Sequence, residues 1–455
     1  MHNELVTKKQ RRNLFAWALV FFILLSAAVL SFAFGFRYDF ENSRLVKTGS
    51  MVLKPNMEAQ IFIDGKLEGQ TSFLKSSFSK KRLLPGTYSV KVQKERFAPW
   101  EKEVEVKEGL VSNLSRIVLF NQDQTKREII GRSNPISLSR ELEKIVYGEK
   151  NALVFYDFDG NLIYKSKAVS LDLTKTKIIW GDKGKEVLAY DQFKVVYFDL
   201  AKNASRELNL PKPHFLETAV LRDGRLYFLN SFSKPFGSKD LTVFSIEKLN
   251  GKVLSKNISA FFVNQEGTFL AFSGSPYRLF KIGLNGENMK ILGNFKTAGM
   301  IKNTLLYNNT DFILAGTDLY SFLPDRENKL ILMAKGVKNF SVSPDGFMLG
   351  WHTDREFWVE WLKDTEFQPL KKTGERELIL KMTENIRGFS WYKNSNYSFL
   401  ELDSGLVAVE VDSRGAANKY KLLDLADQEQ AWYDLERNKI FKLSNFDGLA
   451  IVEMP

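Results

Sequence analysis

Cysteine and histidine, which often serve in metal binding and in nucleophilic or acid–base chemistry, are absent or rare in this sequence. The sequence contains no cysteine, which excludes disulfides, thiolate metal sites and cysteine nucleophiles. It has three histidines, His2, His214 and His352. His214 lies in a Pro-Lys-Pro-His connector at 211–214, and His352 ends a predicted strand. Neither has the helical His-Glu-x-x-His spacing of a zinc site. We therefore expect both to be structural or solvent-exposed.

An Asp-Phe-Asp-Gly-Asn segment at 157–161 carries the hard oxygens that calcium prefers. The full EF-hand spacing and its terminal glutamate are missing, so a hairpin turn explains the segment better. Gly-x-Ser-x-Gly, the phosphate-binding Gly-x-x-x-x-Gly-Lys loop and the Rossmann glycine pattern are also absent from the sequence. We predict no catalytic residue, no metal site and no cofactor, and we expect that the protein is not an enzyme.

Aromatic side chains at 351–361 could stack on sugar rings, since flat apolar faces with polar edges suit that task. On a strand, Phe357, Val359 and Trp361 would share one face, with Trp358 on the other. Trp351 would belong to the preceding strand. Because both faces of such a strand are buried between neighbouring sheets in a repeat protein, we expect core packing instead.

An uncharged segment at 14–36 follows Lys8, Lys9, Arg11 and Arg12. As a helix it would be roughly 34 Å long, enough to cross a bilayer core of about 30 Å. The cations would keep residues 1–13 in the cytoplasm, with a linker at 37–49 and the bulk of the chain outside the cell membrane. A cleaved signal peptide is the alternative, because 14–25 could be its apolar region with small residues following. The long apolar run favours a retained anchor, and both interpretations export the remainder.

The net charge of +11 is spread along the chain. A nucleic-acid-binding protein would need a concentrated basic face, and none is visible, so nucleic acid is not an expected partner. A basic loop at 80–82 near the membrane could attract anionic lipid heads or wall polymers. A solvated loop is the simpler interpretation.

Residues 50–120 alternate in the pattern of short strands and predict a small β-sandwich. The segments that define it are Ala-Gln-Ile-Phe-Ile-Asp-Gly at 59–65, Gly69 with Thr71, Leu-Pro-Gly-Thr-Tyr-Ser-Val at 84–90, and Phe-Ala-Pro-Trp at 97–100. This pattern resembles the PEGA domain. Of the family's namesake run only Ala59 is kept, and Ser72 replaces the usual proline. The resemblance implies an envelope module with no known catalytic centre and no particular ligand.

Residues 121–455 repeat a unit of four short strands every 35 to 50 positions, which is typical of a β-propeller. We predict eight blades, with seven as an alternative. The Ser-Pro-Asp-Gly turn at 343–346 resembles WD-repeat-like propellers of the Tol-associated type. The sequence predicts only three strands in the last unit, 430–454, and 125–130 could supply its outer strand. Such a borrowed strand would close the ring and remove an exposed edge.

The sequence therefore predicts a mainly β protein with one transmembrane helix. We expect a membrane-anchored, extracytoplasmic binding or scaffolding protein of the cell envelope. The propeller would bind an envelope protein or a cell-wall glycan, and the PEGA-like module would be a spacer or wall contact. The alternative is a glycan lyase or hydrolase with its active site in the central channel. Carboxylates, His, Tyr or Arg converging at one mouth of the ring would favour that enzyme.

Overall fold

In the computed structural model, the described residues cover most of the chain. They are 8–40, 43–122, 125–132, 134–181, 183–210, 219–230, 239–263, 269–273, 277–287, 289–295, 301–308, 310–323, 330–445 and 447–452. Within these ranges the protein has one long helix, a β-sandwich and a ring of four-stranded sheets.

The helix α1 spans Lys8–Ala33 and is 26 residues long, or roughly 39 Å. Its apolar side chains are exposed along its length, and the share of Lys9–Ala33 buried inside the protein is 0%. The length and hydropathy fit a membrane anchor and also a signal peptide. The helix ends three residues before the predicted boundary at 36, because Gly35 adopts a left-handed conformation (φ 86°) that turns the chain.

A short hairpin follows the helix in the segment predicted as a linker. Its strands are β1 (Phe36–Asp39) and β2 (Arg44–Lys47). At the base, the backbone N–H and the hydroxyl of Thr48 both donate to the carbonyl of Gly35, each at 2.8 Å. The chain thus leaves Gly35, forms the hairpin and returns beside Gly35 at Thr48, just before the sandwich begins.

The sandwich consists of a three-stranded sheet in the order β6-β3-β9 and a four-stranded sheet in the order β5-β4-β7-β8. Alternate residues face inward in Gly49–Pro55 and in Trp100–Val106, the second of which has a strict buried–exposed alternation. Trp100, Ile61 and Met51 are fully buried in the core between the sheets. The predicted β-sandwich is confirmed. Its strands are β3 (Gly49–Pro55), β4 (Gln60–Ile63), β5 (Lys66–Gln70), β6 (Phe78–Leu83), β7 (Gly86–Gln93), β8 (Trp100–Val106) and β9 (Val111–Ile117).

The described residues from Lys126 to Val452 form eight four-stranded antiparallel sheets, which we number one to eight along the chain. Sheets one to seven each use four consecutive strands. Sheet one contains β11 (Ser137–Ser139), β12 (Lys144–Glu149), β13 (Ala152–Asp157) and β14 (Leu162–Lys165); sheet two β15 (Lys177–Trp180), β16 (Glu186–Tyr190), β17 (Val195–Asp199) and β18 (Ala204–Glu207); sheet three β19 (Val220–Arg222), β20 (Arg225–Asn230), β21 (Lys239–Ser245) and β22 (Asn250–Ile258); sheet four β23 (Ala260–Val263), β24 (Phe269–Ser273), β25 (Tyr277–Ile282) and β26 (Lys290–Phe295); sheet five β27 (Ile301–Tyr307), β28 (Thr310–Ala315), β29 (Asp318–Phe322) and β30 (Leu330–Ala334); sheet six β31 (Asn339–Val342), β32 (Met348–His352), β33 (Glu356–Trp361) and β34 (Arg376–Lys381); sheet seven β35 (Ile386–Trp391), β36 (Tyr397–Leu402), β37 (Gly405–Glu410) and β38 (Lys419–Asp424).

Sheet eight closes the ring with a strand from the other end of the domain. It contains β39 (Gln430–Asp434), β40 (Lys439–Ser444) and β41 (Gly448–Val452), and its outer strand is β10 (Lys126–Ile130). β10 pairs antiparallel with β41, which confirms the predicted borrowed strand. The pairing covers the edge that β41 would otherwise expose.

An apolar cluster fills each junction between successive sheets, including the one between sheet eight and sheet one. At this closing junction Phe158 of sheet one packs against Trp432 and Phe441 of sheet eight, with ring centroids 5.7 and 5.0 Å apart. Each sheet hides its two faces against its neighbours, so the ring as a whole supplies the core.

Candidate functional site

The segment at 157–161 forms a turn. The Asp157 Oδ1 accepts from the backbone N–H groups of Asp159 and Asn161 at 3.0 and 2.8 Å, so the carboxylate closes the turn between β13 and β14. This confirms the hairpin interpretation. Across the part of the chain that the structure describes, no cluster of three or more His, Asp or Glu side chains could hold a metal ion.

The aromatic residues at 351–361 belong to the core, as the sequence predicted, and His352 has the structural one of the two roles that were expected for it. Trp351, Phe357 and Trp361 are each less than 5% exposed. His352 is 1% exposed, and its Nδ1 lies 2.8 Å from the carbonyl of Thr353. Burial lowers the pKa of His352 below its usual range, which outweighs the opposing bond to Thr353. His214 lies outside the described residues.

A cavity of about 380 Å³ lies where the first strands of sheets six, seven and eight approach the turn after β11. The first strands of successive sheets are neighbours around the ring, with β31 beside β35 and β35 beside β39. These first strands therefore line the axis of the ring, and the cavity opens at that axis. We call it the axial cavity. It is bordered by Arg140, Glu141, Glu143, Asn339, Phe389, Ser390, Glu401, Ala431, Trp432, Tyr433, Asp434, Leu435 and Glu436, with Phe399 and Leu406 behind them.

Five carboxylates border the axial cavity: Glu141, Glu143, Glu401, Asp434 and Glu436. Some are neutralised by neighbouring guanidinium groups. Arg437 pairs with Glu143 and, at 3.9 Å, with Asp434. Glu141 and Glu436 are exposed and form no ion pair within the described part of the chain. The cavity consequently carries a net negative field, which favours positively charged groups.

Arg140 is the cation that borders the cavity itself. Its guanidinium lies over the ring of Trp432 with 4.6 Å to the centroid. It also contacts Glu401 at 3.4 Å and donates to the amide oxygen of Gln430 at 3.1 Å. These three contacts fix the side chain along one wall, so Arg140 does not pair with Glu141 or Glu436.

Burial raises the pKa of Glu143, against the hydrogen bond and charge of Arg437, which lower it. Asp434 adds a like charge that also raises this pKa. Such a carboxyl group holds its proton to a higher pH than an ordinary glutamate.

Sequence spacing alone did not reveal the five carboxylates of the axial cavity, because they come from the first, seventh and eighth sheets. Only the closing of the ring brings 141–143 beside 434–436.

A second polar cluster joins the sandwich to the propeller. The Lys102 ammonium of β8 lies 3.0 Å from the Glu410 carboxylate of β37, with side chains only 0% and 2% exposed. Lys102 Nζ also donates to the carbonyl of Asp412 at 2.6 Å. Trp100 Nε1 and Asn418 Nδ2 donate to the two oxygens of Glu410 at 3.3 and 2.8 Å. The buried pair is thus hydrogen-bonded on both sides.

Arg414 extends this junction toward β9. Its guanidinium pairs with Asp412 at 2.5 Å and donates to the carbonyl of Asn113 and the amide oxygen of Gln368, each at 2.9 Å. Gln368 in turn donates to the carbonyl of Val111 at 2.8 Å. Arg414 and Gln368 thus connect the propeller to the backbone carbonyls of Asn113 and Val111 in the sandwich.

The two buried carboxylates at the junction have pKa values shifted in opposite directions. Burial raises the pKa of Glu410 despite the nearby Lys102. Burial also acts to raise the pKa of Asp412, but the hydrogen bonds from Arg414 and the charge of Lys102 hold it below its usual range. The space left between these groups is about 40 Å³, which is room for a water molecule and too little for a ligand. The junction holds the two domains together.

Comparison with known proteins identifies one segment of the chain. Residues 55–118 match the model of the PEGA domain. Among curated proteins, no sequence matches this chain.

Three solved structures are similar to it over 73% of its length at low identity. They are the C-terminal WD40 domain of Sif2 (11% identity, 99% of that chain, TM-score 0.47), BamB from Moraxella catarrhalis (10%, 97%, 0.43) and a streptogramin B lyase (12%, 98%, 0.38). A WD40 domain and a lyase are thus both among the similar structures, and the likeness says nothing about activity.

Proposed function

We propose that this chain is a membrane-anchored binding protein of the extracytoplasmic face of the cell envelope. Helix α1 holds it in the membrane, the PEGA domain is a rigid support, and the propeller presents the axial cavity to a partner. The observation that carries the proposal is the axial cavity, with about 380 Å³ of space and five bordering carboxylates. Among the described residues, the junction with the PEGA domain leaves a space of only about 40 Å³.

The chemistry of the axial cavity fits a positively charged group. Glu141 and Glu436 have no ion-pair partner among the described residues, so an incoming ammonium or guanidinium would gain two new pairs. Trp432, held under Arg140, supplies an aromatic wall beside them. The partner is therefore a basic segment of an envelope protein or a glycan that carries free amino groups.

The enzyme alternative has one specific observation in its favour. Carboxylates converge at the axis, and Glu143 has a raised pKa beside Asp434. A protonated and an ionised carboxyl group are the pair that glycoside hydrolysis uses. We propose binding in preference, because Arg437 pairs with both of these carboxyl groups and so occupies the oxygens that a substrate would need.

The test measures binding of two cationic probes to the full chain in nanodiscs. A lysine tripeptide represents a protein segment, and a glucosamine oligosaccharide represents an amino-bearing glycan, with its N-acetylated form as the neutral control. We expect one cationic probe to bind, with an affinity that falls as salt rises. The double variant Glu141→Gln/Glu436→Gln should weaken binding at least tenfold.

The matched control is Glu103→Gln/Glu366→Gln, which removes the same charge from exposed positions outside the axial cavity. It should leave the affinity unchanged. Equal weakening by both double variants would contradict a site at the axis. Cleavage of the oligosaccharide, abolished by Glu143→Gln, would establish the enzyme instead.

A further inference from the structure

The hairpin formed by β1 and β2 lies directly between the membrane anchor and the PEGA domain. Thr48 returns the chain to Gly35 through two hydrogen bonds of 2.8 Å, so the described residues 36–40 and 43–47 belong to an excursion from a closed base. The sandwich could begin at Gly49 without it. An excursion at this point therefore calls for a local role.

The hairpin exposes large apolar side chains. Phe40 is 85% exposed, and Tyr38 and Leu45 are about half exposed. The rings of Tyr38 and Phe40 meet edge to face with centroids 5.1 Å apart. Aromatic rings with one polar end favour the headgroup layer of a bilayer, and exposed apolar side chains in water carry a cost.

Cationic groups surround the same point. The guanidinium groups of Arg37 and Arg82 lie over the ring of Phe32, at 5.7 and 4.8 Å from its centroid. Because Phe32 is in the last turn of α1, both cations sit at the end of the apolar helix. Arg44 adds a third exposed cation on β2. Cations at this level face the phosphates of lipid headgroups.

We infer that the hairpin β1–β2 lies in the headgroup layer of the outer leaflet and binds anionic lipid phosphates through Arg37, Arg44 and Arg82. Tyr38, Phe40 and Leu45 enter the boundary between headgroups and acyl chains. This second contact fixes the tilt of the PEGA domain and, through its junction, of the propeller. The inference rests on the proposed function only in that α1 stays in the membrane.

The β5–β6 loop provides a matched control surface. Phe73 and Leu74 are 89% and 94% exposed, as apolar and as open as Phe40. They precede β6 at Phe78, whereas Arg82 lies near the other end of that strand. Five strand residues separate the two ends by roughly 17 Å. Phe73 also donates its N–H to Glu58, beyond the end of β3, so it lies away from the bilayer.

The absence of cysteine from the natural sequence allows a single-site test on the full chain. The variants Phe40→Cys and Phe73→Cys are each labelled with an environment-sensitive fluorophore and placed in nanodiscs of phosphatidylcholine with or without 30% phosphatidylglycerol. We expect quenching by brominated lipid to be at least threefold stronger at 40 than at 73. The change Arg37→Gln/Arg44→Gln/Arg82→Gln should remove the extra quenching that phosphatidylglycerol produces.

Several results would overturn the inference. Equal quenching at both sites would mean that the hairpin has no special contact. If the fluorophore at position 40 has the emission of a water-exposed dye in both lipid mixtures, the hairpin lies outside the bilayer surface. If the fluorophore at position 40 is shielded from water only after soluble polyphosphate is added, the arginines would be assigned to a wall polymer. Failure of the chain to enter nanodiscs would instead contradict the anchor, and with it the proposed function.

Discussion

The junction between the PEGA domain and the propeller and the axial cavity of the propeller use the same residue types to different ends. Each contains a tryptophan, an arginine and several carboxylates. At the junction, Lys102 and Glu410 are almost completely buried and hydrogen-bonded. At the axis, Glu141 and Glu436 are exposed and have no ion-pair partner among the described residues.

The difference shows that composition does not separate a structural cluster from a binding surface. What separates them is whether each charge has a partner within the chain. A paired and buried group holds domains in place, whereas an exposed and unpaired one is available to a ligand. Substitutions at the two places should therefore affect different properties, stability at the junction and affinity at the axis.

The largest effect is expected from Lys102→Met, which leaves Glu410 buried without its counter-ion. Loss of one partner of a buried pair destabilises by about 3 to 5 kcal/mol, and we expect this fall in the free energy of unfolding by denaturant titration of the full chain in detergent. The control is Lys91→Met, whose partner Glu101 is exposed, and it should cost at most about 1 kcal/mol. Equal losses would refute a special role for the junction.

A second variant separates charge from packing at the same place. Lys102→Met/Glu410→Met removes both charges and keeps apolar volume, and such replacements are often neutral. We expect it to recover at least about 2 kcal/mol of the loss seen in the single variant. A double variant as unstable as Lys102→Met would show that the hydrogen bonds of Trp100 and Asn418 to Glu410, and not the ion pair, hold the domains.

His352 should make stability depend on pH. Its folded-state pKa lies below the ordinary value of 6.5, so the unfolded state binds the proton more readily. The stabilisation is complete above about pH 6.5 and is lost as the pH falls toward the folded-state pKa, with a slope of at most about 1.4 kcal/mol per pH unit. His352→Gln should flatten this slope between pH 5 and 6.5. An unchanged profile would contradict the assignment.

The smallest stability effect is expected at the axis. Because Glu141 and Glu436 are exposed and form no ion pair within the described residues, their replacement by Gln should change the free energy of unfolding by less than about 0.5 kcal/mol. The same double variant should strongly weaken binding of the cationic probe. A large loss of stability with unchanged binding would reverse the roles of the two regions.

The sequence predicted those features that local patterns specify. Alternating residues such as Trp100–Val106 predicted the sandwich, and the incomplete last repeat predicted that β10 would pair with β41. The buried aromatic residues at 351–361 followed from strand periodicity, since both faces of a strand between sheets are apolar.

The remaining features depend on contacts between distant parts of the chain. The end of α1 is set by the backbone conformation of Gly35, and strands of four residues such as β1 and β2 give too little periodicity to predict. The contact between the PEGA domain and the propeller was not predicted, because Lys102 is buried against a strand about 300 positions away. The axial carboxylates meet only because the ring closes.

The central claim is that α1 stays in the membrane and holds the PEGA domain and the propeller outside the cell. The cysteine-free chain permits a direct measurement with Gln10→Cys and Phe73→Cys, each treated in intact cells with a membrane-impermeant maleimide. We predict that Phe73→Cys is labelled, that Gln10→Cys is labelled only after the cells are opened, and that both stay with the membrane fraction. Labelling of Gln10→Cys alone in intact cells, or release of the chain into the soluble fraction, would contradict the account.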